Sequence, residues 1–564
     1  MKKFSKILSV ALLVALVLSL GIANAFAAAD TEHTITVKPL AGQKGTHVYS
    51  AYQVFAGLYD ASKKNLSNIT WGTGVDGDAV LEALKADTTH FQVPDTSEGH
   101  AENATVNAFK DASTAAAVAE ILGTYATDGS DFAKAFSDVV GAKLTNAAGS
   151  ATAQGSDSGT GNAAIKVKGD GYYFVKDTTL DENMPKGEAR TDYILSVLAD
   201  VEVYTKSSVT SSEKHVDDQN DSDANDNSTL KDSADYDIGD EVPYTISMTL
   251  PADFANYNKY EVVFYDDMSK GLTYKAGSAM IKYGDAAAVA LEDPTNGTAT
   301  YTDGHMYVWN LGDVRNNANL SAGKTITITY KAILNEFAVI GAAGNPNKMY
   351  VEFSNNPNGT GTGKTPDDIN IAFTYKTVFN KVDAKDKKPL TGADFTLYKF
   401  VVSATGAATY NDVKGDWVNV TALHPGQDAK NPSKTISDYT KGNDTATNAK
   451  FTFSGLDAGV YKLEETTTPA GYNTIAPIVF TITAEHVLES DNPTLTSLTG
   501  ANGAEFTMTR DTNNEDALTA DVENGSGATL PSTGGIGTTI FYVVGGVLVL
   551  AAIILLVTKK RMSE

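Results

Sequence analysis

The segment EVPYTISMTL at residues 241–250 decides the fold of its region, because apolar side chains occupy every second position from Val242 to Leu250. Strict alternation places the apolar side chains on one face of a β-strand and the polar ones on the other. The run from Ile326 to Tyr330 alternates in the same way. Short strands of this kind, separated by turn clusters and with almost no long helical pattern, predict a β-sandwich over residues 207–375.

The region before it, residues 30–206, combines strand patterns with a helical insertion. Strand patterns lie at 35–37, 52–55, 171–175 and 193–204. Between them, apolar residues recur at helical spacing, at Val106 with Phe109, at 118–122 and at 132–140. The Ala-, Gly- and Ser-rich stretch 144–161 predicts a surface loop.

The region after it, residues 376–526, repeats the strand style at 395–398, 451–453 and 478–482. The interpretation is a mainly β chain of three tandem β-sandwich domains, the first of which carries the helical insertion. No short-period repeat is present, so the repetition is at the level of whole domains.

Both termini indicate export. Residues 1–29 form a basic start, an apolar stretch and a small-residue cleavage site, which is typical of a secretory signal peptide. Residues 530–564 contain LPSTG, an apolar run of 22 residues from Ile536 to Val557, and a Lys559-Lys560-Arg561 cluster. The run is long enough to cross a bilayer as a transmembrane helix, and the basic cluster places its end on the cytoplasmic side.

The composition excludes several classes of function. A formal net charge of -25 argues against nucleic acid as a partner, because phosphates demand the opposite sign. The eight histidines show no ligand spacing, so no metal site and no cofactor are predicted. Asp221 to Asp232 has the offsets of a calcium loop without its glycine, and a solvated acidic loop is favoured. The segment GTGTGKT at 359–365 departs from a phosphate loop and predicts a turn.

An exported chain without cysteine cannot use disulfides, so any covalent brace must be of another kind. The C-terminal segment resembles the cell-wall sorting signal of Gram-positive surface proteins. That resemblance implies a recognition pentapeptide, cleavage by sortase between Thr533 and Gly534, and attachment to peptidoglycan. The pentapeptide consists of Leu530, Pro531, Ser532, Thr533 and Gly534.

The third domain resembles the collagen-adhesin type B (Cna B) domain. The resemblance rests on the segment from Tyr461 to Tyr472. This segment consists of Tyr-x-Leu-x-Glu followed by Pro-x-Gly-Tyr, a pattern known as the E-box. It implies an acid at Glu465 rather than Glu464, and strand parity agrees. The domain opens with Lys381 and closes with Asn524, for which Asn502 is an alternative.

The second domain contains a similar set. Its opening Lys214 pairs, in this interpretation, with Asn355, and Phe264 to Leu272 resembles the acid-bearing segment of the family, with Asp266 in the matching place. Asp267 and Asn356 are the alternatives, each one residue away. The first domain has no Asn in its closing strand, so no such set is predicted there.

The chemistry of these sets follows from burial. Desolvation favours a neutral amine and a protonated carboxyl, so the lysine becomes a nucleophile and the acid shuttles protons to departing ammonia. One turnover yields an isopeptide bond between Lys and Asn. This is a single intramolecular event, and no enzyme that turns over a substrate is predicted.

The first domain ends in DVEVYTK, which is similar to the pilin motif of sortase-assembled pili, although Val197 and Thr205 depart from it. The motif implies Lys206 as the acceptor of the sortase-bound Thr533 of another copy. Together, these features resemble a backbone pilin with immunoglobulin-like domains, a structural shaft subunit of a wall-anchored pilus that supports adhesion. The resemblance leaves minor pilins and host ligands open as further partners. The alternative is a monomeric wall-anchored adhesin for host matrix or glycans.

Overall fold

The computed structural model describes residues 31–39, 43–60, 65–96, 103–127, 130–155, 161–205, 209–224, 230–357, 360–420, 449–490, 492–527 and 536–561. They form two compact units. The first consists of Met1–Gln219, Asp226–Thr374 and Glu485–Thr496, and the second consists of Asn220–Asn225, Tyr375–Ala484 and Ser497–Glu564. The mainly β fold with sandwich domains is confirmed, whereas the division into three domains at 206 and 375 stays a prediction.

The described N-terminal part of the first unit holds two larger sheets and the two-stranded sheet β4-β5. One larger sheet has the strand order β10-β1-β7, and the other has the order β3-β2-β8-β9 with β6 added beside β2. A cluster of buried aliphatic and aromatic side chains, including Ile35, Tyr49 and Val203, packs in this part. The elements are β1 Glu32–Lys38, β2 Thr46–Asp60, β3 Asn65–Trp71, β4 Gln92–Pro94, β5 Thr105–Asn107, β6 Gly149–Gln154, β7 Ala163–Lys168, β8 Gly171–Asp177, β9 Asp192–Val197 and β10 Val201–Tyr204.

The helical insertion is confirmed. It consists of α1 Gly77–Ala86, α2 Ala115–Tyr125 and α3 Asp131–Gly141. Each helix begins after a residue that accepts a hydrogen bond from a first-turn N–H, namely Asp76, Thr114 and Ser130. Such caps satisfy N–H groups that have no partner within the helix. The apolar faces of the helices bury Val80, Leu122 and Phe136 in one cluster.

Two local predictions in this region are wrong. Val106 lies in the short strand β5, which pairs with β4, and not on a helix with Phe109. The stretch 144–161 contains β6, which pairs with β2 from Thr46 to Ala51. Its small residues have low strand propensity, but the backbone of β2 supplies the hydrogen bonds, so tertiary pairing overrides the local preference.

The rest of the first unit contains two seven-stranded sheets, β12-β11-β14-β21-β17-β18 with β16, and β13-β24-β22-β15-β20-β19 with β23. The alternation in 241–250 is confirmed, because every second residue of β14 is buried. The strands are β11 Ser211–Asp217, β12 Leu230–Lys231, β13 Ser233–Asp235, β14 Glu241–Thr249, β15 Glu261–Met268, β16 Leu272–Tyr274, β17 Met280–Tyr283, β18 Val289–Ala290, β19 Thr295–Gly297, β20 His305–Asp313, β21 Thr325–Leu334, β22 Asn345–Ser354, β23 Thr362–Lys364 and β24 Asp368–Phe373.

The second unit is organised by a ten-stranded sheet in the order β27-β28-β26-β30-β31-β32-β33-β34-β25-β29. Its first strand β25 lies between its last strand β34, in parallel, and β29, in antiparallel orientation. The strands are β25 Tyr375–Asp383, β26 Asp394–Val402, β27 Ala408–Tyr410, β28 Val413–Asn419, β29 Lys450–Leu456, β30 Gly459–Thr467, β31 Ile478–His486, β32 Leu495–Asn502, β33 Phe506–Asp511 and β34 Ala517–Asn524.

A helix α4 covers Ile536–Arg561 at the C-terminus. Within the described part of the chain, no helix meets the length and apolarity needed to cross a membrane. The predicted transmembrane span from Ile536 to Val557 therefore stays a prediction. The signal peptide lies outside the described residues.

Candidate functional site

The structure brings Lys381 and Asn524 together in the second unit. Because β25 and β34 run in parallel as neighbours, Lys381 lies opposite Val522 and Asp383 lies opposite Asn524. Both Lys381 and Asn524 are fully buried. The Lys381 Nζ donates hydrogen bonds to Asn524 Oδ1 at 2.5 Å and to the Val522 carbonyl at 2.9 Å. The amine of Lys381 and the amide of Asn524 are therefore in direct contact.

Glu465 completes this set from strand β30. Asn524 Nδ2 donates to both carboxylate oxygens, at 2.9 and 3.2 Å, and Lys381 Nζ lies 3.9 Å from Glu465 Oε1. Glu464 points to the opposite face, where it pairs with Lys462 at 3.8 Å. Asn502 is exposed at the end of β32. The geometry thus places Glu465 and Asn524, and neither alternative, at the lysine.

Burial also changes the protonation of the Lys381 amine. Desolvation lowers the pKa of Lys381 to about 8, even though the charges of Glu465 and Glu523 act in the opposite direction. A substantial fraction of the amine is therefore neutral near pH 7 to 8, and only the neutral form is a nucleophile. The carboxyl group of Glu465 contacts the amide nitrogen of Asn524, where it could act as a general acid or base.

The first unit holds a second buried lysine, Lys214 on β11. Its Nζ donates to Asp266 Oδ1 on the facing sheet, and to the Tyr330 hydroxyl at 2.7 Å. The Tyr330 hydroxyl in turn donates to Asp266 Oδ2 at 2.8 Å. The Nζ also lies over the ring of Tyr244, 4.7 Å from its centroid. Burial lowers the pKa of Lys214, and Asp266 opposes this effect.

The structure distinguishes Asp266 from Asp267. Both carboxylates are buried, but Asp267 points to the other face of β15. There it accepts a hydrogen bond from the Thr300 N–H at 3.1 Å and pairs with Lys348 at 3.5 Å. Asp266 is therefore the acid that meets Lys214.

Asn355 does not meet Lys214, and this part of the predicted set is corrected. Asp266 lies opposite Met349 on β22, six positions before Asn355. At about 3.3 Å per residue, Asn355 is roughly 20 Å further along the strand. Its backbone carbonyl accepts from the Arg190 N–H at 2.7 Å. Asn356, which lies in the same segment after β22, is equally far along the chain.

Asn347 is the amide that the structure brings to the group formed by Lys214, Asp266 and Tyr330, which we call the Lys214 group. It is fully buried on β22, and its Nδ2 donates to the Tyr330 hydroxyl at 3.0 Å. Its Oδ1 has no hydrogen-bond partner among the described residues. Asn370 lies opposite Asn347 on β24, but its amide donates to the Lys214 backbone carbonyl, away from Nζ. Parity offered a signal for Asn347, because it shares its face with Met349, Val351 and Phe353.

A buried ionic cluster in the first unit has no counterpart in the sequence predictions. His47 contacts two buried carboxylates, Asp177 at 2.6 Å through Nδ1 and Glu188 at 2.8 Å through Nε2. Burial opposes a charge on the ring, but the hydrogen bonds and charges of both carboxylates outweigh it and raise the pKa of His47 to about 9. No spacing in the sequence connects these three residues.

Several predicted residues lie outside the described part of the chain. They are Lys206 and the pentapeptide from Leu530 to Gly534. The strand that precedes Lys206 is described. The strand β10, which ends two residues before Lys206, is an edge strand. The segment 359–365, which the sequence predicts to be a turn, contains the strand β23 at Thr362–Lys364, which pairs with β22, so the prediction is wrong for these residues.

The calcium-like loop is described only in part, because residues 225–229 lie outside the described ranges. Of its candidate ligands, Asp221 pairs with the buried Lys399 at 3.1 Å. The sequence preference for a solvated acidic loop stays a prediction.

Models of known families match three regions of the chain. Residues 238–357 match the Cna-B-like domain of Gram-positive pilin backbone subunits, residues 376–494 match a prealbumin-like fold domain, and residues 522–564 match the LPXTG cell wall anchor motif. Residues 238–357 are thus similar to a domain of Gram-positive pilin backbone subunits. The anchor motif is that of an extracellular protein attached to the cell wall.

A curated relative is the trypsin-resistant surface T6 protein of Streptococcus pyogenes serotype M6, 27% identical over 361 residues. The match covers 57% of this chain and 65% of the relative.

Two solved pilins are also similar. The T6 backbone pilin of S. pyogenes has a TM-score of 0.47 at 17% identity, covering 88% of this chain and 99% of the pilin. The major pilin SpaD of Corynebacterium diphtheriae has a TM-score of 0.44 at 17% identity, covering 88% and 98%.

Proposed function

We propose that this chain is the structural shaft subunit of a covalently polymerised surface pilus, braced internally by two Lys–Asn isopeptide bonds. The observation that carries the internal bonds is the contact of Lys381, Asn524 and Glu465 in a fully buried pocket at the junction of the first and last strands. The matched pilin domains and anchor motif support the role of the whole chain.

In the second unit, the Lys381 Nζ attacks the Asn524 Cγ, so that a Nζ–Cγ bond forms and the Cγ–Nδ2 bond breaks. Glu465 takes one proton from Nζ and gives one to Nδ2, which leaves as ammonia. The carboxyl group is restored at the end, and no external reagent is consumed. In the first unit, the corresponding bond joins Lys214 to Asn347, with Asp266 as the acid.

Intact mass of the exported chain tests both bonds. We expect a mass lower by two ammonia molecules than the sequence predicts, and cross-linked peptides that contain Lys381 with Asn524 and Lys214 with Asn347. A cross-linked peptide containing Asn370 would reassign the bond of the first unit. An unshifted mass would overturn both bonds.

Polymerisation would join the C-terminal sorting segment of one copy to Lys206 of another copy. Sortase breaks the bond between Thr533 and Gly534, and the Lys206 amine of a second copy takes the Thr533 carbonyl as an amide. The last subunit added passes instead to an amine of peptidoglycan. Sortase, further copies of this chain and the wall are the partners that follow from this scheme.

The test is the high-mass ladder in wall extracts. A chain with Lys206→Ala should give only the monomer, whereas Lys168→Ala, a change of another exposed lysine in the same region, should leave the ladder intact. A ladder that persists with Lys206→Ala would reject this acceptor. Absence of any ladder with the unchanged chain would instead favour a monomeric wall-anchored adhesin.

A further inference from the structure

The hydroxyl group of Tyr330 lies at the centre of the buried group in the first unit. It is 2.7 Å from Lys214 Nζ, 2.8 Å from Asp266 Oδ2 and 3.0 Å from Asn347 Nδ2. Lys214 and Tyr330 come from one sheet, whereas Asp266 and Asn347 come from the facing sheet. The hydroxyl thus touches the nucleophile, the acid and the nitrogen that must leave.

In the second unit, the acid contacts the amide nitrogen without an intervening hydroxyl group. There, Glu465 accepts hydrogen bonds directly from Asn524 Nδ2. In the first unit, the described hydrogen bonds join Asp266 to Lys214 and Tyr330, and Asn347 to Tyr330, but not Asp266 to Asn347. A proton that travels from the acid to the departing nitrogen therefore has a path through the tyrosine oxygen.

We propose that Tyr330 is a catalytic residue of the Lys214–Asn347 reaction, in which it relays a proton from Asp266 to the departing amide nitrogen. This inference rests on the isopeptide bond proposed above for the first unit. It also implies that the two units of one chain form the same kind of bond by different proton paths.

The atoms balance as follows. The Lys214 Nζ forms a bond to the Asn347 Cγ and loses one proton to Asp266 Oδ1. Tyr330 gives its hydroxyl proton to Nδ2, and Asp266 passes the proton that it took from Nζ to the Tyr330 oxygen. The Cγ–Nδ2 bond breaks and ammonia leaves. Tyr330 and Asp266 each end with as many protons as they had at the start.

The surroundings suit a relay rather than a permanent base. Burial and the neighbouring Asp266 raise the pKa of Tyr330 well above its usual value, so the phenol keeps its proton until the amide nitrogen can accept it. The ring is held by stacking against Tyr244, with centroids 5.5 Å apart, and by Trp309 at 5.2 Å. A phenylalanine would keep these ring contacts and remove only the hydroxyl.

The test compares Tyr330→Phe with the unchanged chain after a pulse of synthesis, by intact mass and by mapping of cross-linked peptides. We expect the Lys214–Asn347 bond to form at least tenfold more slowly in Tyr330→Phe, while the Lys381–Asn524 bond forms at its usual rate. The matched control is Tyr274→Phe, because Tyr274 also packs near Tyr330 but its hydroxyl bonds Asp293 at the surface. Amide hydrogen exchange in β14 and β21 verifies that the first unit is folded.

A second variant supplies a readout that a purely structural role would not change. In Tyr330→His, the ring can still relay a proton but titrates at a far lower pH than a phenol, so the rate of cross-linking should follow a pH profile that differs from that of the unchanged chain. Formation at the unchanged rate in Tyr330→Phe, or a pH profile in Tyr330→His that matches that of the unchanged chain, would overturn the relay. If the unchanged chain contained no Lys214–Asn347 bond, both the relay and the proposed bond would be rejected.

Discussion

At the scale of single residues, the same physical effect has two outcomes in this chain. Desolvation disfavours charge, so it lowers the pKa of the buried Lys381 and makes the amine reactive. At His47, two carboxylates at 2.6 and 2.8 Å overcome desolvation and keep the ring charged. The difference lies in the number of opposite charges in direct contact, and not in burial itself.

Replacing Glu465 by Gln should prevent the Lys381–Asn524 bond, because the amide can neither take nor give the required proton. The chain should then be heavier by one ammonia. The linked residues lie 143 positions apart, so the loss of the closed loop should lower the free energy of unfolding by about 5 kcal/mol. Mass spectrometry and chemical unfolding measure the two effects. Glu464→Gln, on the opposite face of the same strand, is the control, and a bond formed normally in Glu465→Gln would contradict the assignment.

His47 gives the first unit a dependence on pH. The pKa of His47 is raised to about 9 in the folded chain, against about 6.5 unfolded, so the charged ring stabilises the fold. This stabilisation, of the order of 3 kcal/mol, is complete below pH 6.5 and is lost as the pH rises through about 9. The protection of the β2 and β8 amides, which is their exchange rate relative to the intrinsic rate at the same pH, should therefore fall as the pH rises from about 6.5 to about 9.

The control for this pH dependence is a comparison of two histidines. His47→Gln should lose the change in amide protection between pH 7 and 9, whereas His90→Gln, at an exposed histidine, should keep it. The role of the cluster would be refuted if the unchanged chain and His47→Gln showed the same pH profile.

At the scale of elements, the face of a strand could be predicted from the sequence, but the register between strands could not. Strand parity correctly turned Glu465 inward, and Lys381 and Asn524 are buried as their predicted roles require. Parity also suggested Asn355, but Asp266 on the partner strand β15 pairs with Met349, six residues before Asn355. Register is set by the neighbouring strand, so a local pattern carries no information about it. The same limit explains β6, whose small residues form a strand only because β2 is beside it.

The register of β22 makes a direct prediction. Asn347→Ala should remove the cross-link of the first unit and leave the chain heavier by one ammonia, because no amide then faces the Lys214 group. Asn355→Ala should leave both cross-links in place. Peptide mapping of the two variants decides between the residues, and the opposite result would restore Asn355.

At the scale of the whole molecule, the proposed bond in the second unit determines how tension travels. Force enters at Tyr375 and leaves beyond Asn524 in a pilus under load. With the Lys381–Asn524 bond in place, the load passes directly from the first strand to the last. The strands between them remain folded and bear none of the force.

Single-molecule stretching tests this path. In Glu465→Gln, about 140 residues between the linked positions should become extensible, which adds on the order of 500 Å of contour length. The unchanged chain should show no such step from this unit, and Glu464→Gln should behave like it. An equal extension of all three would mean that no bond carries the load.

The position of Asn524 also connects chemistry with the order of export. Asn524 is the last residue of β34, and β34 is the last strand of the unit. Lys381 must therefore wait for a partner that leaves the cell only after the preceding strands, and Leu530 follows six residues later. Because the release of ammonia is irreversible, the reaction would fix the complete fold of the exported unit at the time when its sorting peptide emerges. A subunit that reached sortase with an unreacted Lys381 would be one in which β34 had not paired with β25.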